Sequence, residues 1–161
     1  MKSKDTKVEN IMEKLEIKKQ LHQTCIEHQK ESIHTAQKAI ASVKESVEEE
    51  RSSIEDSMES FRESLNNEKD MYSRQIQEGI ESLSVLNRIT IAEHSVVKLG
   101  SVVKTSLHNY FVSISQSEMK VDGENYLAIS TQSPIYQLLQ GKKKGDEFTF
   151  RNQHVKLLDV F

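Results

Sequence analysis

Apolar side chains in the first half of the chain recur at alternating intervals of three and four residues. The first series runs Val8, Met12, Leu15, Ile26, Ile33, Ala36, Ile40, Val43, Val47 and Ile54. The same register passes through the polar residues Lys19, His22, Gln29 and Glu50. A second series runs Met58, Phe61, Leu65, Tyr72, Ile76, Leu83 and Leu86. Residues at this spacing share one face of a helix, so the pattern predicts a coiled coil.

The periodicity allows three arrangements of this coiled coil. A fold-back about residue 56 pairs Val47 with Leu65 and the rest of the two series in the same way. A fold-back at Asn66-Asn67 is also allowed, but it leaves most of the first helix unpaired. One continuous helix is the third arrangement, and it would form a rod-like dimer.

Local residue chemistry favours the fold-back about residue 56. Ser52, Ser53 and Ser57 are weak helix formers, and Asp56-Ser-Met-Glu59 matches a capping box. In a capping box the first side chain accepts a backbone N–H and the fourth reaches back to the cap. We therefore predict an antiparallel coiled-coil arm over residues 16–90 with its tip near 55–57. Residues 1–15 extend its first helix.

The second half of the chain alternates polar residues with β-branched or aromatic ones, as strands do. The alternation covers Ser95 to Ser106 and His108 to Ser115, and Asp122-Gly123 predicts a hairpin turn. Ser133-Pro134 predicts a helix start and Gly141 the helix end. The last predicted elements are a strand at Glu147–Phe150, a turn at Asn152-Gln153 and a strand at His154–Phe161. Residues 94–161 are thus expected to form a small α+β domain of antiparallel strands and one short helix.

Composition and charge exclude several classes of protein. Hydrophobic residues make up 35% and charged residues 29%, with no Trp, so the apolar content is too low for one large core. No apolar stretch is long enough for a membrane span or a signal peptide, and a single cysteine, Cys25, closes no disulfide within the chain. We expect a soluble cytoplasmic protein. Residues 45–70 hold ten acidic and three basic side chains, a segment that attracts cations and basic surfaces.

Two segments of the second half resemble a known signature. They are Ala128-Ile-Ser-Thr-Gln-Ser-Pro-Ile135 and Leu138-Leu-Gln-Gly-Lys-Lys-Lys-Gly-Asp146. They are similar to the I-S-x-x-S-P-I and L-x-G-K-x-x-G-D elements of the Gre transcript-cleavage factors, GreA and GreB. Leu99-Gly-Ser-Val102 resembles the opening strand of the same domain, so the resemblance covers residues 95–161.

The resemblance implies a fold and a function. It implies a coiled-coil arm joined to an FKBP-like domain. It also implies a transcription elongation factor that enters the secondary channel of RNA polymerase and stimulates cleavage of backtracked RNA. Such a factor is not an enzyme itself, contacts nascent RNA only indirectly, acts as a monomer and needs no membrane. Ser133, Pro134, Lys142, Lys143 and Lys144 would contact the polymerase, although loop lysines are also commonly just solvated.

Asp56 and Glu59 match the family's acidic D-x-x-E pair at the arm tip. They would help the polymerase hold a second Mg²⁺, shared with the polymerase and not bound by the isolated protein. Mg²⁺ prefers carboxylate and phosphate oxygens, and residues at i and i+3 share a helix face, so both carboxylates could address one ion. As a capping box, the same pair would have a structural role alone.

The tip also departs from the family pattern. Glu55 stands where the family usually has Gly, Ser60 where it has Asn, and Phe61 where it has a small residue. The additional charge of Glu55 would favour a different mode of metal binding. Two alternatives to a cleavage factor follow: a non-catalytic regulator that occupies the same polymerase channel and inhibits it, and a coiled-coil protein-interaction module.

Overall fold

A computed structural model describes the backbone of residues 2–50 and 58–161 and the side chains of residues 6–48 and 59–161. The helices are α1 (Lys2–Glu50), α2 (Met58–Asn87) and α3 (Pro134–Leu139). The strands are β1 (Val102–Thr105), β2 (Asn109–Ser113), β3 (Gln116–Val121), β4 (Glu124–Ser130), β5 (Glu147–Phe150) and β6 (Gln153–Val160). The protein therefore has the predicted α+β class.

Helices α1 and α2 form an antiparallel hairpin. Gln75 Nε2 donates a hydrogen bond to Ser32 Oγ over 3.1 Å, and His22 Nε2 lies 2.8 Å from the Leu86 carbonyl oxygen. Later residues of α1 thus contact earlier residues of α2, as in an antiparallel pair of helices. The predicted antiparallel coiled coil is confirmed, and the continuous rod is wrong.

The chain reverses between Glu50 and Met58. The alternative fold-back at Asn66-Asn67 is wrong, because both residues lie within α2. The predicted tip at 55–57 falls outside the described residues. Its position stays a prediction.

The six strands form one sheet in the order β3-β4-β2-β1-β6-β5. Every neighbouring pair is antiparallel except β2 and β4, which run parallel. The expectation of antiparallel strands alone was wrong at this pair. Since β3 takes the outer edge and turns back at Asp122-Gly123, β4 enters the sheet beside β2 and in the same direction.

The first predicted strand starts later than its sequence pattern indicated. Ser95 to Ser106 alternate, yet β1 begins only at Val102. The Val97 N–H donates to the Lys142 carbonyl and its carbonyl accepts from Gly141 N–H, so this segment is bonded to a loop instead of the sheet. Gly100, at φ +86°, then turns the chain into β1.

Both faces of the sheet are covered. On one face a buried cluster joins α3 to the strands; its members are Val97, Val103, Tyr110, Val112, Ile129, Ile135, Tyr136, Leu139, Phe148, Val155, Leu157 and Val160. On the other face Cys25 Sγ of α1 lies 3.7 Å from Met119 Sδ of β3. Lys14 of α1 pairs with Asp159 of β6 over 2.7 Å. The first turns of α1 therefore belong to the same packed body as the sheet.

The chain divides into two compact units. One contains Met1–Cys25 with Val85–Phe161, and the other contains Ile26–Ser84. The predicted domain limits at residues 15, 90 and 94 stay predictions. No helix in the described part of the chain is both long enough and apolar enough to span a bilayer.

Candidate functional site

The acidic segment between residues 45 and 70 surrounds the reversal of the arm. Glu59 lies in the first turn of α2 with an exposed side chain. A carboxylate in this position interacts favourably with the N-terminal end of the helix dipole. Asp56, its predicted partner, and Glu55 lie outside the described residues, so the spacing of the predicted pair stays a prediction.

Six of the ten acids in this segment have described side chains: Glu45, Glu48, Glu59, Glu63, Glu68 and Asp70. Five are exposed, and only Glu68 is half-buried, where it accepts a hydrogen bond from the Tyr72 hydroxyl. Within the described residues none of the six forms an ion pair. No described side chain of the arm pairs with these six charges, and they are available to a cation or a basic partner.

Exposed acidic charge alone does not make a metal-binding site. Among the side chains of residues 6–48 and 59–161, no three His, Cys, Asp or Glu residues are grouped closely enough to hold an ion. Glu59 offers one exposed carboxylate, which belongs to the donor class that Mg²⁺ prefers. A metal ion bound here would need further ligands from elsewhere.

The Ser-Pro motif forms the predicted helix start. Ser133 Oγ accepts a hydrogen bond from the Tyr136 N–H over 3.3 Å and donates one to the Ser130 carbonyl over 2.8 Å. Pro134 occupies the first helical position, where its missing N–H costs nothing. The hydroxyl of Ser133 is thus occupied in capping α3, whereas the ring of Pro134 is exposed.

The three lysines of the second motif lie on the loop between α3 and β5. Gly141 and Gly145 bound this loop at φ +74° and +93°. The Lys143 N–H donates to Asp146 Oδ2 over 2.9 Å, and the Gly145 N–H to the Leu157 carbonyl over 2.9 Å. These bonds fix the loop backbone, while the Lys143 and Lys144 side chains remain exposed.

The fold adds residues to this surface that the sequence motif did not include. The hydrogen bonds of Val97 to Gly141 and Lys142 bring residues 96–98 alongside the lysine loop. Val96 and Lys98 are exposed on that segment. Nothing in the local sequence marks this contact, because the two segments are more than forty residues apart.

A buried amine lies between α1 and the segment that follows α2. Lys18 is fully buried, and its Nζ donates to the Ala92 carbonyl over 2.6 Å. Burial and, to a smaller extent, the Lys98 charge lower the pKa of Lys18 to about 8, while Glu93 opposes them. His94 lies 2.9 Å from Ser101 Oγ, and its pKa is lowered to about 4 by burial and by Lys18 and Lys98. His94 is therefore neutral at pH 7.

Cys25 lies in the interior. Burial raises the pKa of its thiol to about 11, so the thiolate is scarce at neutral pH. The residue fills the space between α1 and Met119 and has no features of a reactive cysteine.

Comparison with known proteins gives similarity only at the level of solved structures. No family model and no curated protein sequence matches the chain. A structure of the transcription factor Gfh1 is 17% identical, with a TM-score of 0.35, over 84% of this chain and 92% of that one. Gfh1 of Thermus aquaticus is 19% identical, with a TM-score of 0.34, over 86% and 94%. GreA factor homolog 1 of Thermus thermophilus is 22% identical, with a TM-score of 0.32, over 88% and 93%. At these values, function has to be argued from the residues of the chain itself.

Proposed function

We propose that this protein is a transcription elongation factor of the Gre type. It binds RNA polymerase through the secondary channel and stimulates the polymerase to cleave backtracked RNA. The protein is not itself an enzyme; it supplies carboxylates to an active site that belongs to the polymerase. It works as a cytoplasmic monomer and contacts nascent RNA only indirectly.

The observation that carries the proposal is the group of exposed acidic side chains described next to the reversal of the helical hairpin. Glu59 and its exposed acidic neighbours have no ion-pair partner in the described part of the chain. A two-helix arm is narrow and stiff, so it can carry a charged end into a confined channel. The Gre-like motifs on the same chain supply a separate reason to name RNA polymerase as the owner of that channel.

The proposed chemistry is metal-assisted hydrolysis. In a two-metal site one ion stabilises the attacking oxygen and the other the leaving oxygen of an in-line displacement. Asp56 and Glu59 would complete the coordination of an Mg²⁺ that also binds the RNA phosphate and the polymerase. Mg²⁺ retains several waters and needs few protein carboxylates, so two side chains suffice.

The proposed docking surface is the exposed part of the second motif. Lys143 and Lys144 present two positive charges on a loop whose backbone is fixed by hydrogen bonds, and Pro134 lies at the start of α3. Ser133 contributes by holding the helix start in place. We propose that this surface binds an acidic region of the polymerase.

The test is RNA cleavage in a stalled, backtracked complex of the cognate polymerase. Asp56→Ala/Glu59→Ala should reduce the cleavage rate by about 100-fold, since ligands of a catalytic metal contribute several kcal/mol. Glu63→Ala/Asp70→Ala is the matched control: it removes two exposed acids from α2 and should change the rate less than about twofold. Equal losses in both variants would contradict a specific role for the pair.

A second candidate function rests on Glu55. The additional carboxylate beside Asp56 replaces the glycine usual in the resembled family and gives the tip three acids within five residues. Such a tip could occupy the channel and compete for metal without activating water. The same assay then shows no cleavage and slower elongation, and Glu55→Gly should produce cleavage that the wild type lacks.

A further inference from the structure

About two turns near the start of α1 expose an apolar stripe. Its members are Val8, Met12 and Leu15, with Ile11 beside them. Val8 is 56% exposed and Met12 66%, while Ile11 and Leu15 are half-buried. Isolated exposed apolar residues are ordinary, but consecutive ones at helical spacing form a continuous surface.

This stripe continues the helix–helix seam of the hairpin. Val8, Met12 and Leu15 precede Lys19 and His22 in the same alternation of three and four residues. At His22 the seam is covered by α2, at the Leu86 carbonyl. Helix α2 ends at Asn87, so it does not cover the seam nearer the start of α1. The side of α1 that packs against α2 at His22 is therefore exposed nearer the start of α1, where another helix could pack.

One edge of the stripe is acidic. Glutamates follow the stripe residues directly, at Glu9, Glu13 and Glu16, and all three are exposed. Within the described residues none of them forms an ion pair; Glu16 only accepts a 3.4 Å hydrogen bond from Gln20. On the opposite side of the helix, Lys14 pairs with Asp159 and Lys18 is buried. Lys7 is exposed on that side, so a partner helix would meet three exposed carboxylates on the acidic edge against one exposed amine on the other.

A second copy of the chain does not match this border. Two identical antiparallel helices bring the same edges together, so the glutamates of one would face those of the other. A parallel copy would run into the place that α2 already occupies beside His22. A helix with its own apolar stripe and flanking lysines or arginines satisfies both the apolar surface and the acidic edge.

We infer that Val8, Ile11, Met12 and Leu15, with Glu9, Glu13 and Glu16, form a docking surface for a basic amphipathic helix of another protein. The apolar stripe supplies the buried contact, and the glutamates select the charge of the partner. This surface is separate from the acidic end of the hairpin and from the lysine loop.

The experiment uses the full chain and two fluorescent synthetic helices of about three heptads, with leucine at the core positions. One carries lysines at the flanking positions and the other glutamates. Fluorescence anisotropy should show binding of the lysine peptide, at least about tenfold weaker binding of the glutamate peptide, and weakening of the former by salt.

Two double variants assign the binding to the stripe. Val8→Glu/Met12→Glu should weaken binding of the lysine peptide by at least about tenfold. Met71→Glu/Ile80→Glu makes the same charge change at two apolar residues of α2 that are 53% and 51% exposed, and should leave binding within about twofold. Circular dichroism checks that both variants keep their helix content.

Several outcomes would overturn the inference. Failure of the lysine peptide to bind, equal binding of the two peptides, or equal effects of the two double variants would each do so. Sedimentation showing a dimer that Val8→Glu/Met12→Glu dissociates would assign the stripe to a second copy instead. Because none of these measurements uses RNA or polymerase, they succeed or fail independently of the proposed cleavage function.

Discussion

At the scale of single residues, Gly79 shows how closely the two helices of the hairpin approach each other. It is buried within α2, and a Cβ atom placed on it would lie 2.6 Å from Ile33 Cγ1 of α1. Real Cβ atoms do not tolerate such a distance without movement of the neighbour. A glycine inside a helix is usually unfavourable, so its presence here is explained by the contact with Ile33.

Replacing Gly79 with alanine should therefore destabilise the protein, contrary to the usual effect in helices. Alanine gains up to about 1 kcal/mol in helix propensity, whereas overpacking costs about 1–3 kcal/mol. We expect a net loss of about 1 kcal/mol in the free energy of unfolding, measured by urea denaturation. Adding Ile33→Val should recover part of the loss. An increase in stability in Gly79→Ala alone would show that the helices are further apart.

The pKa of His94 predicts how stability changes at acid pH. Its folded pKa of about 4 is lower than the ordinary 6.5, so the unfolded chain binds more protons between these values. Stability should fall as pH drops from 6.5 to 4, and His94→Gln should make that fall shallower. Urea midpoints at each pH measure this, and parallel curves for wild type and variant would contradict it.

Lys18 also makes stability rise with pH, but over a higher pH range. Its folded pKa of about 8 is lower than the ordinary 10.5, so its contribution to stability rises from pH 8 to 10.5. The sequence did not predict this burial. Lys18 follows a helical pattern of mixed charge, and the residues that bury it come from the distant segment around Ala92.

At the scale of elements, features with local causes were the predictable ones. The turn at Asp122-Gly123 adopts positive φ at both residues, +49° and +81°, as its composition required. Ser133 caps α3 and Gly141 follows the end of that helix, again from local chemistry. The hairpin was predictable only as one of three arrangements, because a heptad pattern keeps its apolar residues paired at several fold-back points and also in a continuous helix.

Features set by distant contacts were not predictable from local patterns. The parallel pairing of β2 with β4 depends on where β3 lies in the sheet. The late start of β1 depends on the bonds of Val97 to a loop over forty residues away. For the candidate site, the sequence located Glu59 on the arm and the lysines on a loop. It did not reveal that residues 96–98 lie beside those lysines.

The lysine loop gives a prediction for binding to polymerase. Lys143→Glu/Lys144→Glu reverses two exposed charges and should weaken binding at least about tenfold, with most of the change in the association rate. Gly141 and Gly145 are unchanged, so the loop should keep its backbone. Binding is measured by surface plasmon resonance at two salt concentrations. Unchanged binding in the variant would place the docking surface elsewhere.

At the scale of the whole molecule, the acidic surface of the hairpin and the lysine loop have different roles in the proposed function. The described part of the hairpin near its reversal carries acids without ion-pair partners among the described residues, and the sheet unit carries the exposed lysines that would bind the polymerase. Neither part is sufficient alone in this account. The lysines would supply affinity, and the acids would supply ligands for a metal ion whose coordination the polymerase and RNA would complete. The apolar stripe on α1 leaves room for a further partner.

The most direct test of the central claim is the Mg²⁺ dependence of RNA cleavage in a backtracked polymerase complex. If Asp56 and Glu59 help to hold the ion, the wild-type protein should lower the Mg²⁺ concentration for half-maximal cleavage by about tenfold, equivalent to about 1.4 kcal/mol of metal binding. Asp56→Asn/Glu59→Gln, which keeps shape and removes charge, should abolish that shift while still binding polymerase. The same Mg²⁺ dependence with and without the wild-type protein would contradict the account.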